Sequence, residues 1–455
     1  MSVRPVRRGA AVAVSLATAA AGTLLFTSAP AQAATAPRTT SDPAAAAAGW
    51  LARQLVGGTH LSTTYAGSTY DDYGGTADAV LGMAAAKVGG STIKAATAWL
   101  AKNADAYSSL HDTSGEPGPY DGSVAKLALV AQVTGQNATS FGGYNLLKAL
   151  HDDQCTSVSN ADGSDYTKAA CPGVGSARNI YSSVSESLAI LVQARAGGAY
   201  APSSDAISYF LSLQCPNGGF TGLTSACTDN SDASDDETAY AVVALQALGS
   251  QQAARTKAVD WLLGKRSSAG YWVEQGGPDV DTTGLATAAL AAAGKDVRRS
   301  RAWLASQQVT TGPSLGKGAT RGALKYQGKF DPTSSVKATA DALPGLAGAG
   351  SFATLTDAGT AAAAPVLALR RPTPIKAAIR RGGKQKVVAT GFAAGERVRF
   401  TLRSRSVGVA TANSHGTVRL RFTVPRHTKP VRHVVRLTGL TSRLHATSTS
   451  FRITA

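Results

Sequence analysis

Aromatic residues make up only 6% of this 455-residue chain and charged residues only 16%; there are four cysteines and two methionines. So little charge beside 44% apolar residues excludes an extended, self-repelling disordered chain. Beyond the N-terminal region nothing approaches about 20 consecutive strongly apolar residues, so no later membrane anchor is expected. No glycine-rich phosphate loop followed by Lys and Ser or Thr occurs, which argues against nucleotide chemistry. His60, His111 and His151 stand alone in the sequence and offer neither a triad nor a metal cluster. The length suits two or three domains of about 150 residues.

What is present begins with an address. Arg4, Arg7 and Arg8 precede an apolar run from Gly9 to Phe26, followed by Ala31-Gln32-Ala33. A basic start, an apolar core and small residues before a cut predict a secretory signal peptide over 1–33. A secreted protein is expected, with attachment to the cell wall. Cys155 and Cys171, and Cys215 and Cys227, form two short-range pairs. Four cysteines admit three pairings; in an oxidising compartment two local disulfides are the simplest.

Charge divides the chain. From Pro365 to Ala455 there are nineteen Lys and Arg against one acid, Glu396, so the whole-chain excess of +17 belongs to this part. Segments 34–43 and 346–366, the latter rich in Ala and Gly, read as linkers. They bound a helical part over 44–345 and a β part over 367–455.

The helical part repeats. Trp50-Leu51, Trp99-Leu100, Leu146-Leu147, Phe210-Leu211, Trp261-Leu262 and Trp303-Leu304 alternate with a second pattern, an acidic or polar start followed by small apolar residues. That second pattern opens at Asp72, Asp121, Asn179, Asp236, Asp281 and Asp331. One pair recurs about every 50 residues, the signature of stacked helical hairpins. The Trp-Leu helices carry charge and should face outward. The Ala-rich, nearly uncharged set should be buried, its Asp and Ser/Thr residues serving as N-caps.

Gln214-Cys-Pro-Asn-Gly218-Gly219-Phe220 resembles the repeat motif of the prenyltransferase and squalene/terpene cyclase group, echoed at Gly270-Tyr271-Trp272. The resemblance implies a closed (α6/α6) toroid of six hairpins, about two-thirds of the chain, the size also found in cobalamin carriers. It further implies an acid site near Asp235 and Asp236, because class II terpene cyclases protonate an alkene from an Asp-x-Asp-Asp motif. Such an acid must be held neutral in a dry pocket. Here the motif is respaced and Glu237 intervenes, so helix capping is the competing reading.

Other acidic helix starts, with nearby aromatics, are expected to converge on one rim: Asp71, Asp72, Asp121, Tyr181, Asp235, Asp236, Tyr240, Trp272, Asp279 and Asp281. A rim of that kind would take a small molecule or a protein. Asp229, Asp232 and Asp235 offer a calcium alternative; no other cofactor is expected. The zinc chemistry of protein prenyltransferases is not, since no cysteine is expected to be free.

The C-terminal part alternates with period two over Arg397–Arg403 and Thr417–Val424. Thr390-Gly-Phe-Ala-Ala-Gly395-Glu396 resembles bacterial immunoglobulin-like modules, which implies an antiparallel β-sandwich. Val398, Phe400, Leu402, Val418, Leu420 and Phe422 should point inward, and Arg397, Arg399, Arg403, Arg419, Arg421 and Arg436 should form an outward basic face. That face suits an anionic cell-wall polymer or polysaccharide rather than nucleic acid, since aromatics are not interleaved with the arginines.

The expectation is therefore a secreted, multidomain, non-catalytic protein: an all-α toroid holding a ligand or partner, tethered by an all-β sandwich to anionic envelope material. The first alternative is an isoprenoid enzyme of the terpene cyclase kind, with Asp235 or Asp236 as acid. A structural envelope protein is the second.

Overall fold

The computed structural model describes residues 37–110, 119–159, 171–274, 276–316, 318–348, 352–356 and 362–455. The leader expected over 1–33 and His111 lie outside them. A helical part is followed by a β part.

Thirteen α-helices occur among the described residues. They are α1 (Pro43–Ala52), α2 (Tyr73–Ala85), α3 (Gly90–Lys102), α4 (Ala104–Ser108), α5 (Asp121–Val133), α6 (Leu146–Asp152) and α7 (Ser183–Ala196). After these come α8 (Ser204–Ser212), α9 (Asp235–Leu248), α10 (Gln252–Lys265), α11 (Val280–Ala292), α12 (Arg298–Ser306) and α13 (Ser334–Ala347). Helix α2 packs on α5, α5 on α7, α7 on α9, α9 on α11, α11 on α13, and α13 back on α2. These six form a closed inner wall. The Trp-Leu helices α1, α3, α6, α10 and α12 each sit across two neighbouring inner helices, and α8 packs on α7.

Small residues let the inner wall close. A Cβ added to Gly284 would lie 2.2 Å from Ala342 Cα, and one on Gly345 would lie 2.3 Å from the Gly284 carbonyl oxygen. Backbones at that separation exclude any side chain.

The Thr residues near the inner-helix starts are not N-caps, as the sequence suggested. Thr76, Thr238 and Thr283 lie inside their helices, and each hydroxyl accepts from an incoming backbone N–H, of Leu61, Phe220 and Trp272, at 2.8–3.0 Å; Thr339, which the sequence did not single out, does the same for Leu324. One bond thus pins each arriving segment to its inner helix. Asp72 and Asp279 do cap, accepting from Gly75 and from Asp281 and Thr282. The Gln of the repeat motif is a staple: Gln214 Nε2 donates to the carbonyls of Gly218 and Ala254, 2.9 Å each, tying the turn to the next outer helix. Gln308 does the same towards Pro43 and Gly322. Gly218 (φ +97°) and Gly322 (φ +107°) take a left-handed conformation that favours glycine at these turns.

Disulfides join Cys155 to Cys171 and Cys215 to Cys227, both in connections entering inner helices. Among the described residues no helix is long and apolar enough to cross a membrane.

The β part holds three small sheets around one core that includes Val387, Phe392, Val398, Phe400, Val418 and Phe451. Strand Arg397–Leu402 lies between Arg405–Thr411 and Val435–Gly439; Lys384–Ala389 lies between Val418–Thr423 and Thr373–Pro374. Strand Phe451–Thr454 pairs with Ala378–Arg380 and Arg432–His433. The two segments read as linkers meet: Thr39–Thr40 pairs in parallel with Val366–Leu367. Arg321, 1% exposed, donates to the carbonyls of Thr310 and Ala368, so the helical part is also bonded to the start of the β part.

Candidate active site

The starts of inner helices converge on a bowl of about 830 Å³. Helix α2 contributes Asp72, Gly74, Gly75 and Asp78; α9 contributes Asp236; α11 contributes Asp281 and its cap Asp279. Helix α13 adds Ser334, Lys337 and Ala340, and the walls are completed by Leu61–Thr64, Glu274 and Tyr326.

The first turn of α9 departs from the capping expectation. Its N-cap is Ser234, and neither Asp235 nor Asp236 caps it. A buried Oδ1 on each of these aspartates has no hydrogen-bond partner among the described residues. An unsatisfied anionic oxygen is costly away from water, and protonation is the way out. Burial, then the nearby Glu274, pushes the Asp236 carboxyl up to about 7; burial lifts Asp235 to about 6. Asp281 is pushed up to about 8 by burial and by Asp341, with Lys337 opposing. The Asp281 Oδ1 is likewise unpartnered among the described residues. Lys337 Nζ bridges Asp281 Oδ2 at 3.3 Å and Asp341 Oδ2 at 2.5 Å.

Below the bowl the axis is filled. Lys126 Nζ lies 2.9 Å from Asp78 Oδ1, and these two with Tyr240, Asp341 and apolar neighbours leave only about 20 Å³. Burial works against the Lys126 ammonium, but Asp78 outweighs it and its pKa is raised. Burial also raises the Tyr240 phenol.

Of the rim residues expected from the sequence, Asp72, Asp236, Asp279 and Asp281 line the bowl. The other six are placed elsewhere. Asp71 is exposed and pairs with His60 at 3.2 Å; Asp235 stands beside the bowl rather than in its lining. Asp121 is buried, and its Oδ2 accepts from the Arg178 amide at 2.6 Å. Tyr181 is exposed and stacks on Tyr120, and Tyr240 lies below in the filled axis. Trp272 is a core residue, fully buried, with its indole N–H on the Leu262 carbonyl.

Sequence reading missed Asp78, Lys126, Lys337 and Asp341. The signal was available: each is a charge on a helix otherwise built of small apolar residues. Of the calcium trio, Asp229 caps a short turn by accepting from the Ser231 amide, and among the described residues no three His, Cys, Asp or Glu side chains group to hold a metal. Of the expected basic face, Arg397, Arg399 and Arg436 belong to one sheet and Arg419 and Arg421 to another, and all are exposed.

No protein-family profile matches the chain, and no curated protein matches it. Among solved structures, a type II terpene cyclase variant from Scytonema bound to geranylgeranyl dihydroxybenzoate is similar, at 17% identity and a TM-score of 0.46, over 68% of this chain and 96% of that one. A protein from Actinoplanes is similar at 16% identity and TM-score 0.46, over 69% of this chain and all of that one. An ent-copalyl diphosphate synthase from Streptomyces platensis is similar at 15% and 0.37, over 61% of this chain and half of that one. The first and third of these are a type II terpene cyclase and an ent-copalyl diphosphate synthase, and all three are similar at low identity. The non-catalytic toroid expected from the sequence does not stand. Helix α9 presents to the bowl an acid, Asp236, that does not cap it.

Proposed function

We propose that the helical part is an (α6/α6) toroid of the terpene cyclase kind and works as a general-acid enzyme on an isoprenoid substrate, in a secreted chain whose β part is immunoglobulin-like. The observation that carries this is Asp236: it lines the bowl, does not cap α9, and among the described residues has one buried oxygen, Oδ1, without a partner. A carboxyl with a pKa of about 7 still holds its proton near neutral pH and can donate it to an alkene or an oxygen leaving group. Asp281, pushed up to about 8 mainly by burial, is a second carboxyl in the same lining able to hold a proton, with Lys337 3.3 Å away.

Six carboxyls line the bowl, yet slightly more than half of its surface is apolar, and among the described residues Tyr326 is its one aromatic. That composition supports a substrate whose reacting end is oxygenated, because a bare hydrocarbon would desolvate the bowl's carboxyls without replacing their water. Purified protein incubated with prenylated phenols and polyprenols, followed by gas chromatography with mass detection, tests the reading. A cyclised or hydrated product from wild type and none from Asp236→Asn supports it. Equal product from both, or none from wild type across the panel, overturns it.

A further inference from the structure

The β part holds a site of its own, independent of the acid bowl. Its nineteen Lys and Arg face one acid, Glu396, and that acid is fully occupied: buried, it accepts from the amides of Ala393, Thr441 and Ser442. Among the described residues, every ion pair lies in the helical part. The basic charge therefore has no internal counter-ion.

At one place that charge is gathered into a concavity. Arg403 and Ser404, in the turn after strand Arg397–Leu402, face Arg432, His433, Val434, Arg436 and Ser450 across a cleft of about 460 Å³. The arginines come from two distant stretches of chain, 403 and 432–436, so no single strand pattern reveals them as a group. Arg403 sits at φ +57°, a left-handed conformation that non-glycine residues seldom adopt. Arg432 Nη1 donates to Ser450 Oγ at 3.2 Å, which holds one guanidinium at the wall. Arg432 also lies directly opposite Arg452 in its antiparallel ladder. Like charges so placed repel, and a bound anion would relieve them.

We infer that the cleft between Arg403, Arg432 and Arg436 binds a phosphate ester of a polyol. Guanidinium forks match the oxygens of a tetrahedral oxyanion two at a time, and three of them can surround one such group. The volume exceeds what a bare oxyanion fills, leaving room for the polyol it is esterified to. The ester could be a free metabolite or a unit of a phosphate-linked polymer; the chemistry at the cleft is the same.

Calorimetric titration of the full chain with inorganic phosphate, glycerol 1-phosphate and a poly(glycerol phosphate) oligomer, at one fixed ionic strength, tests this. Glycerol 1-phosphate should bind more tightly than inorganic phosphate. Arg403→Gln with Arg432→Gln should weaken glycerol 1-phosphate by about tenfold or more, as losing charge-assisted hydrogen bonds does. The equal-charge control Arg419→Gln with Arg421→Gln, on the other sheet, should change it less than about twofold, and thermal melts should show both variants folded. If the oligomer gains over glycerol 1-phosphate and that gain is lost in the cleft variant, the source is the polymer; with no gain, it is the free ester. Equal losses in the two double variants would mean diffuse charge alone and overturn the site. So would a DNA oligomer of matched phosphate count that binds as tightly as the poly(glycerol phosphate) and is unaffected by the cleft variant.

Discussion

The two parts of this chain handle charge in opposite ways. The helical part takes acids inside: Asp78 pairs with the largely buried Lys126, and the buried Asp281 and Asp341 pair with Lys337, whose side chain stays exposed. The β part buries a single acid, Glu396, held by backbone amides, and leaves its arginines outside and unpaired among the described residues. Buried charge is tolerated only with a partner or a shifted pKa, and both occur around the bowl. Exposed charge needs neither and remains available to whatever arrives. One part is built to perturb its titratable groups, the other to present fixed positive charge.

That contrast can be broken or sharpened by experiment. The largest expected effect is on turnover. Asp236→Asn should lower the rate of any product-forming reaction by a factor of about 100 to 10,000, the range for removing a general acid. A rate within a few-fold of wild type would remove the bowl's carboxyl from the chemistry. Next, Lys126→Met should destabilise the fold by about 3 kcal/mol in urea denaturation, because it strands the Asp78 carboxylate. Adding Asp78→Leu should recover most of that loss; without recovery the pair is not the reason for the loss.

Replacing both Cys215 and Cys227 by Ser should cost about 2–4 kcal/mol, as loss of a loop-closing disulfide does. Gly284→Ala should cost about 1–3 kcal/mol, because the new methyl meets Ala342 across the closed wall. A neutral result would show that the inner helices can spread.

A further expected effect concerns pH. Glu186 is buried and pushed up to about 8; Asp236 and Asp281 stand at about 7 and 8, against about 4 for carboxyls in an unfolded chain. The folded state therefore holds more protons between those limits. The stability these groups contribute is fully present below about pH 4 and is lost as pH rises through 7 and 8. The melting temperature should fall between pH 5 and pH 8, and Glu186→Gln should flatten part of that slope.

Much of the helical part was legible because its repeat is written twice, once in the Trp-Leu pairs and once in the small-residue helices. Both patterns follow from burial on one side or on all sides, and burial constrains composition. The site was legible only in part. Asp72, Asp236, Asp279 and Asp281 were found because they open helices. Asp341, one turn from Lys337 on α13, was legible and simply not read; Asp78 and Lys126, and Lys337 as the partner of Asp281, were missed because they meet only when the wall closes, at separations of 48 and 56 residues. Trp272 misled for the same reason: its place beside a motif glycine suggested a rim, while its indole N–H had a carbonyl waiting in the core. In the β part the alternation identified the inward residues correctly. It could not say that Arg397 and Arg419 lie on different sheets, since strand pairing is a long-range choice.

The parallel pairing of Thr39–Thr40 with Val366–Leu367 brings the entry and exit of the helical part together. A wall whose ends meet has no privileged first hairpin. A gene rearranged to begin at α3 and finish at α2, with a short bridge across the old ends, would specify the same neighbours in the same order. The β part would then hang from the middle of the chain instead of its end.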